Sequence, residues 1–177
     1  LRRQRQMCIR DRSCPATKFI LSGFSQGAVI AGDVADEIGG GQGVVPAESI
    51  AGVALIADGR RQNGVGQNPG RKVGGVGAEI ALQPVSGLVQ PIVPGASMRG
   101  ARQNGFGSLA DRTFQICAPN DSVCDAPPNV TNALERAQGL IAANGVHAQY
   151  ASNSGVIDGT TANQWVVGWA RQLIDAA

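Results

Sequence analysis

The stretch Lys18-Phe19-Ile20-Leu21-Ser22-Gly23-Phe24-Ser25-Gln26-Gly27-Ala28 decides the fold class. Its apolar first half predicts a short β-strand over residues 18–22, and the glycines on either side of Ser25 predict a sharp turn. A helix is expected over residues 28–38, because its isoleucines and valine recur at four-residue spacing and Gly39 follows as a stop. A strand, a turn and a helix in this order are typical of one unit of a parallel α/β fold.

Later segments extend the same pattern. Residues 50–56 are apolar at successive positions, as in a strand covered on both faces, and residues 112–117 alternate and are rich in β-formers. A helix is expected to begin at Pro127 and Pro128 and to end at Asn144-Gly145, and the capping-box pattern of residues 161–164 predicts a last helix. The predicted buried faces of these two helices are Val130, Leu134, Ala137 and Ile141, and Ala162, Trp165, Val166, Trp169, Ala170 and Leu173. The alternation predicts the α/β class, with a central parallel sheet between layers of helices.

Two connecting segments have no clear element. Residues 60–77 are rich in Gly, Asn and Arg and predict a long surface excursion. Residues 85–93 are apolar, but Pro84, Pro91 and Pro94 argue against a helix or a central strand there. We therefore expect an exposed apolar flap.

Length, composition and charge exclude several classes of protein. With 177 residues, 43% of them apolar and 16% charged, the chain can bury a core and predicts one packed domain. No apolar run is long enough to cross a bilayer, and no signal peptide is visible. The net charge is +2 without basic clustering outside the N-terminal segment, so we expect no nucleic-acid partner.

The first twelve residues read unlike the rest of the chain. They carry five arginines against one aspartate and have neither helical nor strand periodicity. Residues 7–12 resemble translated adapter sequence, so we interpret residues 1–12 as a non-native segment and residues 13–177 as the domain. A basic arm is the alternative.

The turn around Ser25 has the G-x-S-x-G pattern of a nucleophile elbow. Such a turn holds a serine in a strained conformation at the carboxyl end of a sheet. Side chains at 23 and 27 would be expected to collide with the strand and helix, which favours glycine at both positions. The backbone N–H of Gln26, at the start of the helix, is the candidate oxyanion donor.

His147 is the single histidine of the chain and hence the candidate general base. Two aspartates at strand ends, Asp58 and Asp121, could orient the imidazole. We favour Asp121, because a disulfide between Cys117 and Cys124 would fix its loop; Asp58, like Asp111, Asp125 and Asp158, has an ordinary turn or cap interpretation. The order Ser25, Asp121, His147 is that of α/β-hydrolases.

These motifs resemble those of the cutinase family of serine esterases. Gly23-Phe24-Ser25-Gln26-Gly27 is similar to its G-Y-S-Q-G elbow, and residues 117–124 match its C-x-x-x-D-x-[IV]-C block. His147 with Tyr150 resembles its base segment, and the chain is most similar to actinobacterial cutinase-like lipases of the cell envelope. The resemblance implies an α/β-hydrolase-like three-layer sandwich, catalysis by Ser25, His147 and Asp121, an oxyanion donor at Gln26, and a Cys117–Cys124 disulfide.

The resemblance also implies a departure at the front of the chain. Members of the family carry two β/α units before the elbow, including a second oxyanion donor, and we recognise neither unit here. We therefore expect a partial hydrolase domain in which Cys14 lacks its usual partner, although Cys8 could pair with it by accident of position.

The expected function is that of a secreted or cell-envelope serine esterase that hydrolyses lipid or polyester acyl esters, acting as a monomer. The alternative is a non-catalytic module that binds lipid or cell wall, or an inactive fragment. With one histidine and no suitable cysteine spacing we expect no metal site, and without GxGxxG or Walker A patterns no nucleotide cofactor. Asn129-Val130-Thr131 fits a glycosylation pattern but is interpreted as a cap.

Overall fold

A computed structural model describes residues 16–93, 97–141 and 145–176 of the chain. Its parallel sheet contains β1 (Phe19–Phe24), β2 (Ile50–Ile56) and β3 (Thr113–Ile116) in the order β1-β2-β3. The last residues of the three strands are in register, since Phe24 pairs with Ile56 and Ile56 with Ile116. The carboxyl ends of all three strands therefore meet at one edge. The predicted strands are confirmed.

The helices follow the strands in the alternating order that the sequence predicts. In the described part of the chain they are α1 (Gln26–Gly39), α2 (Ala78–Ala81), α3 (Ser86–Val89), α4 (Ala133–Ile141) and α5 (Ala162–Asp175). Short 3₁₀ turns lie at Ala47–Ser49, Gln83–Val85, Gly107–Arg112 and His147–Gln149. None of the helices in the described ranges is long and apolar enough to cross a membrane.

Helices cover both faces of the sheet. Val53 and Leu55 of β2 pack on one face with a strip of small and aliphatic residues of α1, namely Ala28, Ala31, Ala35 and Ile38. On the other face, Gly52 approaches α5 so closely that a Cβ there would lie 2.5 Å from the ring of Trp169. The central strand is thus buried on both sides, as its continuous apolar sequence predicts. The α/β class and the three-layer arrangement are confirmed.

The last helix begins where the capping box predicts. The Thr161 hydroxyl accepts a hydrogen bond from the Gln164 amide at 3.2 Å, and the Gln164 side chain accepts one from the Thr161 amide at 3.2 Å. The predicted stripe faces the sheet: Trp165 and Trp169 contact the ring of Phe114 on β3, with centroids 5.2 and 5.6 Å away.

The apolar pattern of α1 and the predicted inner face of the next long helix need correction. In α1, Ile30 is 51% exposed, and the buried apolar residues are Ala28, Val29, Ala31, Ala35 and Ile38. The helix that was predicted to begin at Pro127 is α4, and it begins at Ala133. Val130 therefore lies before the helix, and Leu134, which was predicted to be buried, is 61% exposed. Its inner face is Ala133, Ala137 and Leu140, because small side chains allow residues 85–93 to pack closely against it.

Residues 85–93 form helical turns, so the prediction that proline prevents a helix there was wrong. Pro84 lies in the first turn of a 3₁₀ helix, where a missing N–H costs no helical hydrogen bond, and Pro91 follows the end of α3. Val89 is buried, and Val85, Ile92 and Val93 pack around it, whereas Leu88 is 69% exposed. Only part of this segment is thus an exposed apolar surface.

Residues 60–77 contain no helix or strand of their own, as predicted, but they are not wholly a surface excursion. Arg61 and Val73 are buried. Gln67 pairs in parallel with β3: its N–H donates to the Thr113 carbonyl at 2.7 Å, and its carbonyl accepts from the Gln115 N–H at 2.8 Å. The segment thus covers an edge of the sheet.

Several sequence predictions fall on residues outside the described ranges. These concern the segment 1–12, the partner of Cys14, Cys8 itself, and the positions of Pro94 and Asn144.

A buried ion pair lies at the end of β2. Both carboxylate oxygens of Asp58 accept hydrogen bonds from the guanidinium of Arg102, at 2.6 and 3.1 Å, and both side chains are almost completely buried. Arg102 also contacts Asp33 of α1 at 3.0 Å, and Asp33 pairs in turn with Arg60 and Arg99, each at 2.7 Å. This network ties α1 to the loops that follow β2 and precede β3.

Replacing the buried Arg102 should lower the free energy of unfolding far more than replacing the exposed Arg99. Arg102→Met leaves the Asp58 carboxylate buried without its cation, so we expect the free energy of unfolding to fall by about 3–5 kcal/mol. Arg99→Met is the matched control: the Arg99 side chain is 45% exposed, and we expect a loss of about 1 kcal/mol or less. Urea denaturation at pH 7 measures both; similar losses would contradict a dominant buried pair.

Candidate active site

Ser25 lies in the turn between β1 and α1, at the edge where the strands end. Its backbone has φ 53° and ψ −121°, a left-handed conformation that is unfavourable for a residue with a side chain. Its N–H donates to the Ile56 carbonyl of β2 at 2.9 Å, and its carbonyl accepts from Ala28 and Val29 at the start of α1. Although Ser25 is the N-cap residue, its hydroxyl does not cap the helix. The turn has the geometry of a nucleophile elbow.

The two flanking glycines are not equivalent. A Cβ at Gly23 would lie 2.2 Å from the carbonyl oxygen of Gly27, a backbone atom that cannot move without distorting α1. A Cβ at Gly27 would meet no atom within 4 Å. The expectation that close packing requires glycine at both positions is therefore correct for Gly23 and wrong for Gly27.

Gln26 is the first residue of α1 and is exposed. The N–H groups of the first helical turn have no acceptor within their own helix, and the helix dipole makes this end electropositive. The backbone of Gln26 is thus suited to bind an anionic oxygen next to Ser25; its role as oxyanion donor stays a prediction.

The structure brings Ser25, His147 and Asp121 together. The Ser25 Oγ lies 2.9 Å from His147 Nε2, and His147 Nδ1 lies 3.0 Å from Asp121 Oδ2. His147 sits in the 3₁₀ turn His147–Gln149 and is 9% exposed, while Asp121 is fully buried in the loop after β3. The one imidazole of the chain therefore bridges a hydroxyl and a carboxylate that are far apart in sequence.

Two further hydrogen-bond donors contact the carboxylate of Asp121. Its Oδ1 accepts from the Val123 N–H at 2.9 Å, and its Oδ2 accepts from the Tyr150 hydroxyl at 2.7 Å. Burial by itself would raise the pKa of Asp121, but the hydrogen bonds from His147, Val123 and Tyr150 outweigh it and lower the pKa below its ordinary value. The carboxyl group is therefore held ionised, as stabilisation of an imidazolium requires.

The loop that carries Asp121 is closed by a disulfide between Cys117 and Cys124, which confirms the predicted pairing. Arg61, which lies outside this loop in sequence, also binds it: its Nε donates to the Cys124 carbonyl at 2.8 Å, and its Nη2 donates to the Gly75 carbonyl. Arg61 is 5% exposed, and this burial lowers the pKa of its guanidinium. A covalent bond and a buried arginine thus fix the carboxylate in place.

Asp58, the alternative acid, lies elsewhere. It follows β2 as Asp121 follows β3, but both of its carboxylate oxygens are bound by Arg102, and one also accepts from the Arg60 N–H at 3.0 Å. It therefore acts as an ion-pair and turn residue. In the described ranges, no group of three or more His, Cys, Asp or Glu side chains could hold a metal ion.

Two aromatic residues, Phe24 and Tyr150, contact the proposed catalytic side chains, and the sequence analysis assigned neither of them a role there. The ring of Phe24 stacks on the His147 imidazole, with centroids 5.0 Å apart, and is 46% exposed. Tyr150 directly follows the 3₁₀ turn that begins at His147; its hydroxyl reaches Asp121, and its ring makes an edge contact with Phe24. The i, i+3 spacing of His147 and Tyr150 was the available signal, since it puts both side chains on one side of a 3₁₀ turn.

Comparison with known proteins shows what this chain is similar to. The model of the cutinase family matches residues 4–168. A carboxylesterase Culp6 homolog of Corynebacterium glutamicum is 67% identical over 162 residues, which cover 92% of this chain and 52% of that protein. The chain thus spans about half the length of the curated relative that it matches.

The two elbow glycines give a matched pair of variants. For Gly23→Ala, the clash with the Gly27 carbonyl should lower the free energy of unfolding by about 3 kcal/mol or more. For Gly27→Ala, no clash occurs and alanine favours helix, so stability should rise by up to about 1 kcal/mol. Urea denaturation followed by circular dichroism measures both, and a Gly23→Ala protein as stable as Gly27→Ala would contradict this account of the turn.

Proposed function

Since this chain belongs to the cutinase family, we propose that it is part of a carboxylic ester hydrolase in which Ser25, His147 and Asp121 form the catalytic triad. The observation that carries the proposal is the continuous contact from Ser25 Oγ to His147 Nε2, at 2.9 Å, and from His147 Nδ1 to Asp121. The name carboxylesterase of the Corynebacterium glutamicum relative supports an ester as the substrate class.

In the first half of the proposed reaction, Ser25 Oγ attacks the carbonyl carbon of the ester while His147 Nε2 takes the hydroxyl proton. The resulting imidazolium is stabilised by the ionised Asp121, which accepts a hydrogen bond from Nδ1. Collapse of the tetrahedral intermediate breaks the bond to the alcohol, which receives the proton from His147. Ser25 is then esterified by the acyl group.

In the second half, a water molecule attacks the acyl-enzyme and His147 again acts as the base. The carboxylic acid leaves and Ser25 regains its proton. In both halves the negative charge on the carbonyl oxygen would be stabilised by the Gln26 N–H, and one such donor typically contributes roughly 3–4 kcal/mol to the transition state.

Exposed apolar side chains support an ester with an apolar acyl chain. Phe24 is 46% exposed directly beside Ser25, so an acyl group bound there would cover apolar surface. Leu88, at 69% exposure, is a further exposed apolar side chain, and we propose that its segment, residues 85–93, helps to form an acyl-chain groove. We propose lipid, short-chain or polyester-like acyl esters as the substrate class.

The disulfide within the catalytic loop supports function in an oxidising compartment. We therefore propose that the protein acts outside the cytoplasm, secreted or at the cell envelope, where a lipid surface could present the substrate. We propose that it acts as a monomer without a cofactor.

Ser25→Ala should abolish hydrolysis if this mechanism operates. With p-nitrophenyl butyrate as substrate, we expect kcat/KM to fall by about 10³-fold or more, because the hydroxyl on which the acyl-enzyme forms in this mechanism is removed. His147→Ala should cause a similar loss. The matched control is Ser22→Ala, which changes an exposed serine of β1 and should leave kcat/KM within about twofold of wild type.

Covalent labelling provides a readout that does not depend on turnover. Diethyl p-nitrophenyl phosphate should add one diethylphosphoryl group to the wild-type protein and to Ser22→Ala, but none to Ser25→Ala, as measured by intact mass. Hydrolysis by Ser25→Ala at the wild-type rate would contradict the proposed mechanism. A folded wild-type protein that neither hydrolyses esters nor reacts with the phosphate would favour the non-catalytic alternative.

A further inference from the structure

We propose that Tyr150 is a positioning residue for the acid of the triad: its phenol hydroxyl fixes the carboxylate of Asp121 and limits how strongly that carboxylate attracts a proton to His147. The inference rests on the proposed triad, since Asp121 must orient His147 for the effect to reach catalysis.

Tyr150 binds the carboxylate oxygen of Asp121 that lies nearer to the imidazole. Its hydroxyl donates to Asp121 Oδ2 at 2.7 Å, and His147 Nδ1 lies 3.0 Å from Oδ2 and 3.2 Å from Oδ1. The other oxygen, Oδ1, accepts from the Val123 N–H at 2.9 Å. With both oxygens bound by donors from different parts of the chain, the carboxylate cannot rotate away from His147.

The hydroxyl of Tyr150 is itself held in place. It accepts a hydrogen bond from the Ala118 N–H at 2.8 Å and lies 3.3 Å from Cys124 Sγ, so it spans the loop between the two cysteines. Tyr150 is 3% exposed. Burial, together with the negative charge of Asp121, raises the pKa of Tyr150 far above its ordinary value. The hydroxyl therefore remains a donor at every pH at which an esterase would be assayed.

In the part of the chain that the structure describes, four charged or titratable groups near this pair bear on the argument. His147 and Tyr150 face the carboxylate of Asp121 directly, and Arg61 acts on Tyr150 from the far side of the loop through its charge. Asp125 accepts hydrogen bonds from the N–H groups of Asn120 and Gly75. Of these groups, only Tyr150 and His147 share an oxygen of Asp121.

Loss of the phenol hydroxyl has a defined electrostatic consequence. A donated hydrogen bond offsets part of the carboxylate charge, so its removal leaves a stronger attraction between Asp121 and an imidazolium at His147. Because the base must be neutral to accept a proton from Ser25, the acidic limb of the pH profile should move to higher pH.

The test variant is Tyr150→Phe, which keeps the ring and its edge contact with Phe24. We expect kcat for p-nitrophenyl butyrate to fall about tenfold with KM within about twofold, and the acidic limb of kcat/KM to rise to higher pH. The same rise should appear in an NMR titration of the imidazole, which is unambiguous because the chain has one histidine. An unchanged limb and an unchanged titration midpoint would overturn the proposal.

A double-mutant cycle separates positioning from a general structural role. In the Asp121→Ala background, Tyr150→Phe should change kcat by less than about twofold, because the residue through which it acts is gone. An equal tenfold loss in both backgrounds would overturn the proposal. The NMR titration is repeated in the Ser25→Ala background, so that the effect of Tyr150→Phe is measured in a protein without turnover. Failure of the proposed catalytic mechanism is distinguishable from this, because it would appear as hydrolysis that does not require Ser25.

Discussion

The backbone of Ser25 links the sheet to the chemistry of the site. Its N–H extends the hydrogen bonding between β1 and β2 by one residue, and its carbonyl accepts the first hydrogen bonds of α1. A chain that must end a strand and begin a helix at one residue has little choice of φ and ψ, and here φ is +53°. The unfavourable conformation is maintained because the two elements that flank it are buried on the core. The hydroxyl is thereby left free of the helix and directed to His147.

The position of His147 depends in turn on how firmly Asp121 is held. His147 lies on a short 3₁₀ turn far from the sheet in sequence, so its own backbone provides limited rigidity. Asp121 lies in a loop closed by a disulfide and braced by Arg61, directly after a strand of the sheet. The ring of Phe24 covers one face of the imidazole, and Phe24 immediately precedes Ser25. The turn at Ser25 and the disulfide-closed loop that carries Asp121 therefore hold His147 between them.

Sequence could predict the elements whose pattern is local. The strands, α1 and the cap of α5 follow from apolar runs, glycines and a capping box, and the family resemblance identified the residues that the structure brings together at one edge. Contacts between distant segments were not predictable in this way. The inner face of α4 is set by its packing against residues 85–93, and the burial of Arg102 depends on Asp58 and Asp33. At Gly27 a local motif was misleading. The G-x-S-x-G pattern suggested that a side chain at this position would clash, but a Cβ there would meet no atom within 4 Å.

Asp58 and Asp121 illustrate how a fold can place two similar groups and give them different chemistry. Each lies just beyond the end of a neighbouring parallel strand, and each is almost completely buried. A buried carboxylate needs a compensating partner. Asp58 has a guanidinium that occupies both of its oxygens and serves to join loops. Asp121 has neutral donors from Val123 and Tyr150 together with one imidazole, a side chain that can both accept and donate a proton. The partner rather than the strand-end position therefore decides which carboxylate can support proton transfer.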